Sequence, residues 1–295
     1  MSARTLAAAM LIATASASAP AETPVERGRY LVNAILACGN CHTPKDAEGN
    51  PIPGKELAGG GLAFDLPFFA GAASNITPDP QTGIGTWTDA EIAQAITRGL
   101  RPNHGRLPGS ELALVMWVNF YKALLPSDLT AVVAYLRSIP AVRNEVQAPV
   151  YRMAVRRETH PEAERGFTES DLRDPVRRGA YLATIGHCME CHTPTVKGRT
   201  LYEDALGKGG KAFLPSFVKG FPAGWKGSTS PNITAHPAAG LGAWTDAEIA
   251  RAITRGVSRD GRALGPPMGY HWYAGLRAED VDALVAWLRT VPARD

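Results

Sequence analysis

All four cysteines of the 295-residue chain fall in two copies of one pattern, Cys38-Gly39-Asn40-Cys41-His42 and Cys188-Met189-Glu190-Cys191-His192. Cysteines spaced in this way are read as disulfides, a dithiol redox pair, zinc ligands or attachment points for a porphyrin. A thioredoxin-like pair ends a strand in a βαβ context, and no such context is visible. Zinc takes wider paired spacings within one unit. Cys-x-x-Cys-His is the attachment pattern of c-type haem. Thiols one helical turn apart can each add to a vinyl group on the same porphyrin edge, and the adjacent histidine then points at the iron. The spacing predicts two covalently bound haem c groups, with Cys38, Cys41, Cys188 and Cys191 as the thioether positions. His42 and His192 are the proximal iron ligands.

The opposite axial position decides the chemistry. A methionine raises the reduction potential and closes the sixth site, whereas an open site permits catalysis on peroxide or oxygen. Of six methionines, Met1 and Met10 lie in the N-terminal leader, Met189 is inside the pentapeptide and Met153 lies between the repeats. Met116 and Met268 fall at matching places, each 5 residues before a tyrosine (Tyr121, Tyr273) and 12 before an aspartate (Asp128, Asp280). A methionine between helices is usually core filler, but this register supplies one sulfur per haem. Met268 stands in a proline-stiffened loop, "LGPPMGY". Met116 stands in a longer loop with Leu114 in place of Pro266, and His104 is its competing ligand.

These side chains are delivered by a repeat. "RGRYLVNAILACGNCHTP" (27–44) matches "RGAYLATIGHCMECHTP" (178–194), "SNITPDPQTGIGTWTDAEIAQAITRG" (74–99) matches "PNITAHPAAGLGAWTDAEIARAITRG" (231–256), and "LPSDLTAVVAYLRSIPAV" (125–142) matches "RAEDVDALVAWLRTVPA" (277–293). The order is the same in both halves, so each half is one unit of roughly 120 residues. We expect a first domain over 22–143, a linker over 144–175 and a second domain over 176–295. Three helices are expected per domain. The first covers 25–36 and 176–185, with Gly28 and Gly179 suited to a close helix crossing. The second starts at the capping boxes Thr88/Glu91 and Thr245/Glu248 and ends at Gly99 and Gly256. The third covers 127–138 and 278–290, stopped by Pro140 and Pro292. No strand is convincing in the Gly- and Pro-rich segments between them. The expectation is an all-α fold of two tandem class I cytochrome c-like domains, each wrapped around one covalent haem.

The composition, 45% hydrophobic and 20% charged, is that of a globular protein. Residues 1–21 read as a cleavable signal peptide. Arg4 precedes an apolar run at 6–13, and Ala-Ser-Ala at 17–19 suits a signal peptidase. The run is too short and too rich in Ala and Ser for a membrane anchor. Export to the periplasm follows, with no transmembrane segment and no nucleic-acid partner. Charge is uneven: fifteen cationic residues face ten acidic ones over 176–295, against ten and eleven over 22–143. The segment 193–231 carries Lys197, Arg199, Lys208, Lys211, Lys219 and Lys226 against Glu203 and Asp204, which predicts an acidic docking partner at the second domain. Asn75 and Asn232 match glycosylation sequons, but a loop role is the stronger reading, in which these short polar side chains close to the haem bond its propionates or the backbone. Trp87 and Trp244 are either haem-packing aromatics or helix-start anchors. His160, His187, His236 and His271 are read as bland.

With "CGNCHTP", "NITPDPQTGIGTWTDAEI" and "MGYHWYAGLRAEDVDALVAWLRTVP", nearly the whole mature chain resembles the cytochrome c subunits of periplasmic bacterial dehydrogenases acting on alcohols, sugars, aldehydes or nicotinate-type substrates. The resemblance implies His/Met iron, His42 with Met116 and His192 with Met268. It also implies single-electron transfer from a dehydrogenase catalytic subunit to a redox acceptor (a cytochrome, an oxidase or a quinone-linked chain). Two departures matter: many relatives have three haem units and this chain two, and the Met116 loop lacks the proline-rich approach. The rival reading is a dihaem enzyme, such as a peroxidase or a thiosulfate-oxidising dehydrogenase. A peroxidase would work at the first haem through a displaceable sixth ligand.

Overall fold

The computed structural model describes residues 21–102, 112–153 and 156–295. Most of the expected signal peptide and His104 lie outside the described residues. Each half begins with a helix whose start is written locally. Thr23 accepts from the Glu26 N–H and the Glu26 carboxylate returns the bond, with Pro24 at the first position, to open α1 (Pro24–Asn33). Asp174 caps α7 (Pro175–Ile185) by a single bond, accepting from Arg177 N, again with proline at the first position. The expected capping boxes open α3 (Asp89–Arg98) and α9 (Asp246–Arg255), which close on left-handed Gly99 (φ 70°) and Gly256 (φ 61°). The third expected helix is α5 (Pro126–Ser138) in the first half and α11 (Ala278–Leu288) in the second.

The remaining helices are short. The two pentapeptides form α2 (Cys38–His42) and α8 (Cys188–His192), each of 5 residues. α4 (Val118–Tyr121) and α10 (Tyr270–Tyr273) follow the two methionines, and α6 (Pro161–Arg165) lies between the halves.

Close crossing explains the two glycines. A Cβ at Gly28 would stand 1.9 Å from the Ala131 carbonyl oxygen on α5, and one at Gly179 would stand 1.9 Å from that of Ala283 on α11. Each crossing is reinforced by a partly buried ion pair on a buried aspartate: Arg27 Nε to Asp128 at 2.7 Å and Arg178 to Asp280 at 2.6 Å. Tyrosines from the opposite half complete both. The Tyr181 hydroxyl donates to Asp128 at 2.6 Å, and that of Tyr30 donates to Asp280. The core is shared accordingly. Leu31, Val32 and Ile35 pack in one cluster with Tyr181, Leu182, Ile185 and Leu284, while Met189, Ile249 and Leu288 anchor a smaller second cluster.

The expectation of two tandem all-α domains fails here. The described residues include eight strands: β1 (Ala63–Leu66), β2 (Phe69–Ala72), β3 (Val150–Tyr151), β4 (Thr195–Val196), β5 (Arg199–Thr200), β6 (Ala212–Phe213), β7 (Val218–Lys219) and β8 (Ser228–Thr229). One sheet, in the order β3-β2-β1-β7, draws strands from both halves and from the segment between them. Leu66, Phe69 and Tyr151 lie across from one another, as do Gly71, Phe64 and Val218. Cross-strand partners share a face, so one side is rich in large apolar side chains and the other carries Asp65 and Lys219. Strands of 2 to 4 residues are too short to show a two-residue period in sequence. The large side chains of that first face, Phe64, Leu66, Phe69, Tyr151 and Val218, line an apolar cavity. Among the described residues, no helix is long and apolar enough to cross a membrane.

Candidate haem site

Both pentapeptide helices start from a strained residue. Ala37 and His187, immediately before the first cysteine of each, hold left-handed backbone at φ 46°. A non-glycine residue there costs energy, and its repetition in both halves marks it as a requirement for turning the pentapeptide into the interior. No simple sequence signal announces it.

His42 Nδ1 stands 2.7 Å from the Ser74 carbonyl oxygen, and His192 Nδ1 2.9 Å from that of Pro231. A carbonyl only accepts, so Nδ1 carries the proton in both rings and Nε2 keeps its lone pair. Burial lowers both imidazole pKa values, partly offset by those same hydrogen bonds. A neutral ring, oriented by a backbone acceptor and with a bare Nε2, is what an axial ligand requires. Burial also pushes the Cys41 thiol up to about 11 and those of Cys38, Cys188 and Cys191 to about 12. A dithiol exchange centre works through lowered thiol pKa values, so the redox-pair reading loses its chemistry. Among the described residues, no group of three or more His, Cys, Asp or Glu is placed to hold a bare metal ion.

The cysteines and both histidines line one continuous cavity of about 1890 Å³ that also takes in Met116 and Met268. Ordinary small-molecule pockets measure roughly 300–1,000 Å³, so this space suits more than one large apolar group. Phe64, Leu66, Phe69, Tyr151 and Val218 from the four-stranded sheet close one side. The residues present therefore fit haem: thiols one turn apart, a neutral proximal imidazole, a sulfur in the same cavity and an apolar enclosure.

The halves interlock at this cavity. The Trp272 ring of α10 lies where a Cβ on Gly39 would be, 2.0 Å from its nearest atom, and Asn40 Nδ2 donates to the Pro267 carbonyl at 3.2 Å. Reciprocally, the His187 ring packs 5.5 Å from Trp117 and 6.1 Å from Tyr121, centroid to centroid. Each methionine loop thus leans on the pentapeptide of the other half.

The two loops are held by different means. Ser228 Oγ donates to the Pro266 carbonyl at 2.7 Å beside Met268. In the first half the Arg157 guanidinium takes over, donating to the carbonyls of Met116 (2.7 Å), Leu112 (2.7 Å) and Ala113 (2.9 Å). Sequence reasoning missed Arg157 because nothing in a charged connecting segment singles out one arginine.

Other expectations resolve locally. Asn75 is buried, donating to Val142 O at 2.7 Å and accepting from Thr77, and Asn232 donates to Arg294 O at 2.6 Å and accepts from Thr234. The "NIT" asparagines tie each loop to the chain after the third helix. Trp87 lines the cavity, while Trp244 packs against the second core cluster. His236 accepts from two backbone N–H groups and His271 is exposed, as befits bland residues. His187 and His160 are not bland. His160 is 3% exposed between Phe120 and Tyr202, and among the described residues neither ring nitrogen has a hydrogen-bond partner. Lys211 is drawn into an ion pair with Glu190 and leaves the basic surface. Lys197, Arg199, Lys208, Lys219 and Lys226 remain exposed.

Residues 176–292 match the cytochrome c family. The chain is 30% identical over 278 residues to a nicotinate dehydrogenase component of Pseudomonas putida, covering 90% of this chain and 21% of that protein. It is 28% identical to the gluconate 2-dehydrogenase cytochrome c subunit of Pantoea cypripedii, over 92% of this chain and 60% of that one. It is also 28% identical to a diheme cytochrome c-type protein of Cereibacter sphaeroides, over 87% and 82%. The chain thus spans about a fifth and three-fifths of the length of the first two. The attachment motif, the oriented imidazoles and these likenesses agree: residues 176–292 match the cytochrome c family, which implies covalent haem c there, and the chain resembles across both halves the cytochrome c subunits of bacterial dehydrogenases.

Proposed function

We propose that the chain is a periplasmic dihaem electron-transfer protein, receiving single electrons from a dehydrogenase catalytic subunit and passing them to a redox acceptor. The observation that carries this reading is the single cavity reached by both Cys-x-x-Cys-His helices and by both Met116 and Met268. Haem, when bound, supplies a one-electron couple at its iron. The chain's residues fix its surroundings: Cys38 and Cys41 hold one group and Cys188 and Cys191 the other. The Ser74 and Pro231 carbonyls hold the His42 and His192 rings with Nε2 free. Met116 and Met268, which line the same cavity, would supply the sulfur ligands. The sheet face of Phe64, Leu66 and Phe69 keeps water from the enclosure, which favours the less charged reduced state.

The relatives' names support a dehydrogenase as donor. The exposed Lys197, Arg199, Lys208, Lys219 and Lys226 favour a partner with an acidic face. Haem content per chain, measured on protein from a maturation-competent host, tests the reading together with the near-infrared methionine-to-iron band. Two covalent haems, both ferric low-spin with that band, are expected. One haem, or a high-spin fraction at the first site, would overturn it, the latter in favour of a peroxidase. A rate of reduction flat in ionic strength would remove the acidic partner.

A further inference from the structure

We propose that Arg157 is the positioning residue for Met116, a role carried in the second half by the prolines and Ser228 beside Met268; the inference rests on Met116 being the ligand proposed above. No proline stands directly before Met116, where the second half has Pro266 and Pro267 before Met268. In place of that stiffness it has a half-buried guanidinium donating to three carbonyls within five residues, Leu112, Ala113 and Met116 itself. A planar fork with five fixed donors suits this task, because it holds several acceptors in one geometry at little further loss of side-chain freedom. The bond to the Met116 carbonyl fixes the backbone of the residue that presents the sulfur.

Arg157 is itself held from the other half. Its neighbour Glu158 accepts from Thr200 N at 2.8 Å on β5. His160, two residues further, is wedged between Phe120 of α4 and Tyr202, with centroids at 4.7 and 4.9 Å. The segment is therefore fastened to the second half on one side and to the helix after Met116 on the other. The Nη2 atom also lies 3.3 Å from the Cβ direction of Gly99, the α3 cap whose carbonyl accepts from Leu112 N at 2.7 Å. The guanidinium thus holds the start of the loop and the methionine directly, and the end of α3 through Leu112. Residues outside the repeat unit compensate for the sequence departure inside it.

The test uses the full-length holoprotein and reads the methionine-to-iron band, the reduction midpoints and thermal unfolding in Arg157→Ala, Arg157→Lys, Met116→Ala and Ser228→Ala. With two methionine-ligated haems, Met116→Ala removes half of the band, and Arg157→Ala is expected to remove about the same half while both haems stay attached. The two together should lose no more than either alone. Lysine keeps the charge but spans fewer carbonyls, so it should restore part of the band. Ser228→Ala should leave that half untouched. A full band and unshifted midpoints in Arg157→Ala, with Met116→Ala losing half, would overturn the clamp. A full band in Met116→Ala would overturn it too, through the ligand reading beneath it. If Arg157→Ala does not accumulate folded, Arg157→Lys carries the test, and an undiminished band there counts against the proposal.

Discussion

Replacing Gly28 by alanine sets two calculable effects of opposite sign against each other. Alanine in a helix interior is favoured over glycine by about 0.8–1.0 kcal/mol, so on propensity alone the variant is more stable. The crossing with α5 says otherwise. The new Cβ would lie 1.9 Å from Ala131 O, 2.6 Å from its carbonyl carbon and 2.7 Å from Tyr135 Cβ, where real contacts essentially never fall below 3.0 Å. Two of the three atoms are backbone, so no rotamer change relieves the clash. The helices must separate by about an ångström, the scale at which overpacking costs typically 1–3 kcal/mol. It would also stretch the Arg27–Asp128 pair at 2.7 Å. Overpacking less the propensity gain leaves a net loss of up to about 2 kcal/mol, which corresponds to a fall in Tm of up to roughly 6 °C for a chain of this size, before any cost of the stretched ion pair. Far-UV circular dichroism melts of the holoprotein read it directly, with Gly179→Ala as the twin. An unchanged or raised Tm in both variants would refute the close-crossing argument.

Three further outcomes are expected. Burial holds the His160 imidazole at about 4, well below the ~6.5 of an unfolded chain. The unfolded state therefore binds the proton more readily, and stability falls as pH drops from about 6.5 to about 4, by up to about 3 kcal/mol. Urea unfolding of wild type and His160→Phe across that window checks it, and parallel pH dependences would count against it. Asp128→Asn removes the partner of Arg27 and of the cross-half Tyr181 hydroxyl. It should cost about 2–4 kcal/mol in chemical denaturation, whereas Tyr181→Phe should cost about 1 kcal/mol; equal losses would show that the tyrosine, not the ion pair, carries the site. Gly39→Ala should lower Tm because its Cβ meets the Trp272 ring. Adding Trp272→Ala should return part of the loss, and strictly additive effects would mean the two halves do not meet there.

What the sequence determined by itself is local and repeated. The two pentapeptides, the capping boxes of α3 and α9, the glycine stops and the glycines of the two crossings are all written within a few residues, and twice. Spacing suffices for the pentapeptides, caps and stops because each depends on neighbours about one helical turn away; the crossing glycines show only because the same position recurs in both repeats. The methionine register also showed in sequence, since the same offset to Tyr121 and Tyr273 recurs.

Tertiary structure alone decided how the halves meet. The expected all-α pair gave way to a shared core and a sheet whose strands come from residues 63–72, 150–151 and 218–219. Strands this short leave no period, and their partners lie far away in the chain. The same holds for Tyr181 on Asp128, Trp272 on Gly39 and Arg157 on Met116: each contact joins residues 41 or more apart. A side chain's chemistry is legible in one dimension when its partner is near in sequence. When the partner is chosen by how two cores pack, only the folded chain brings the pair together.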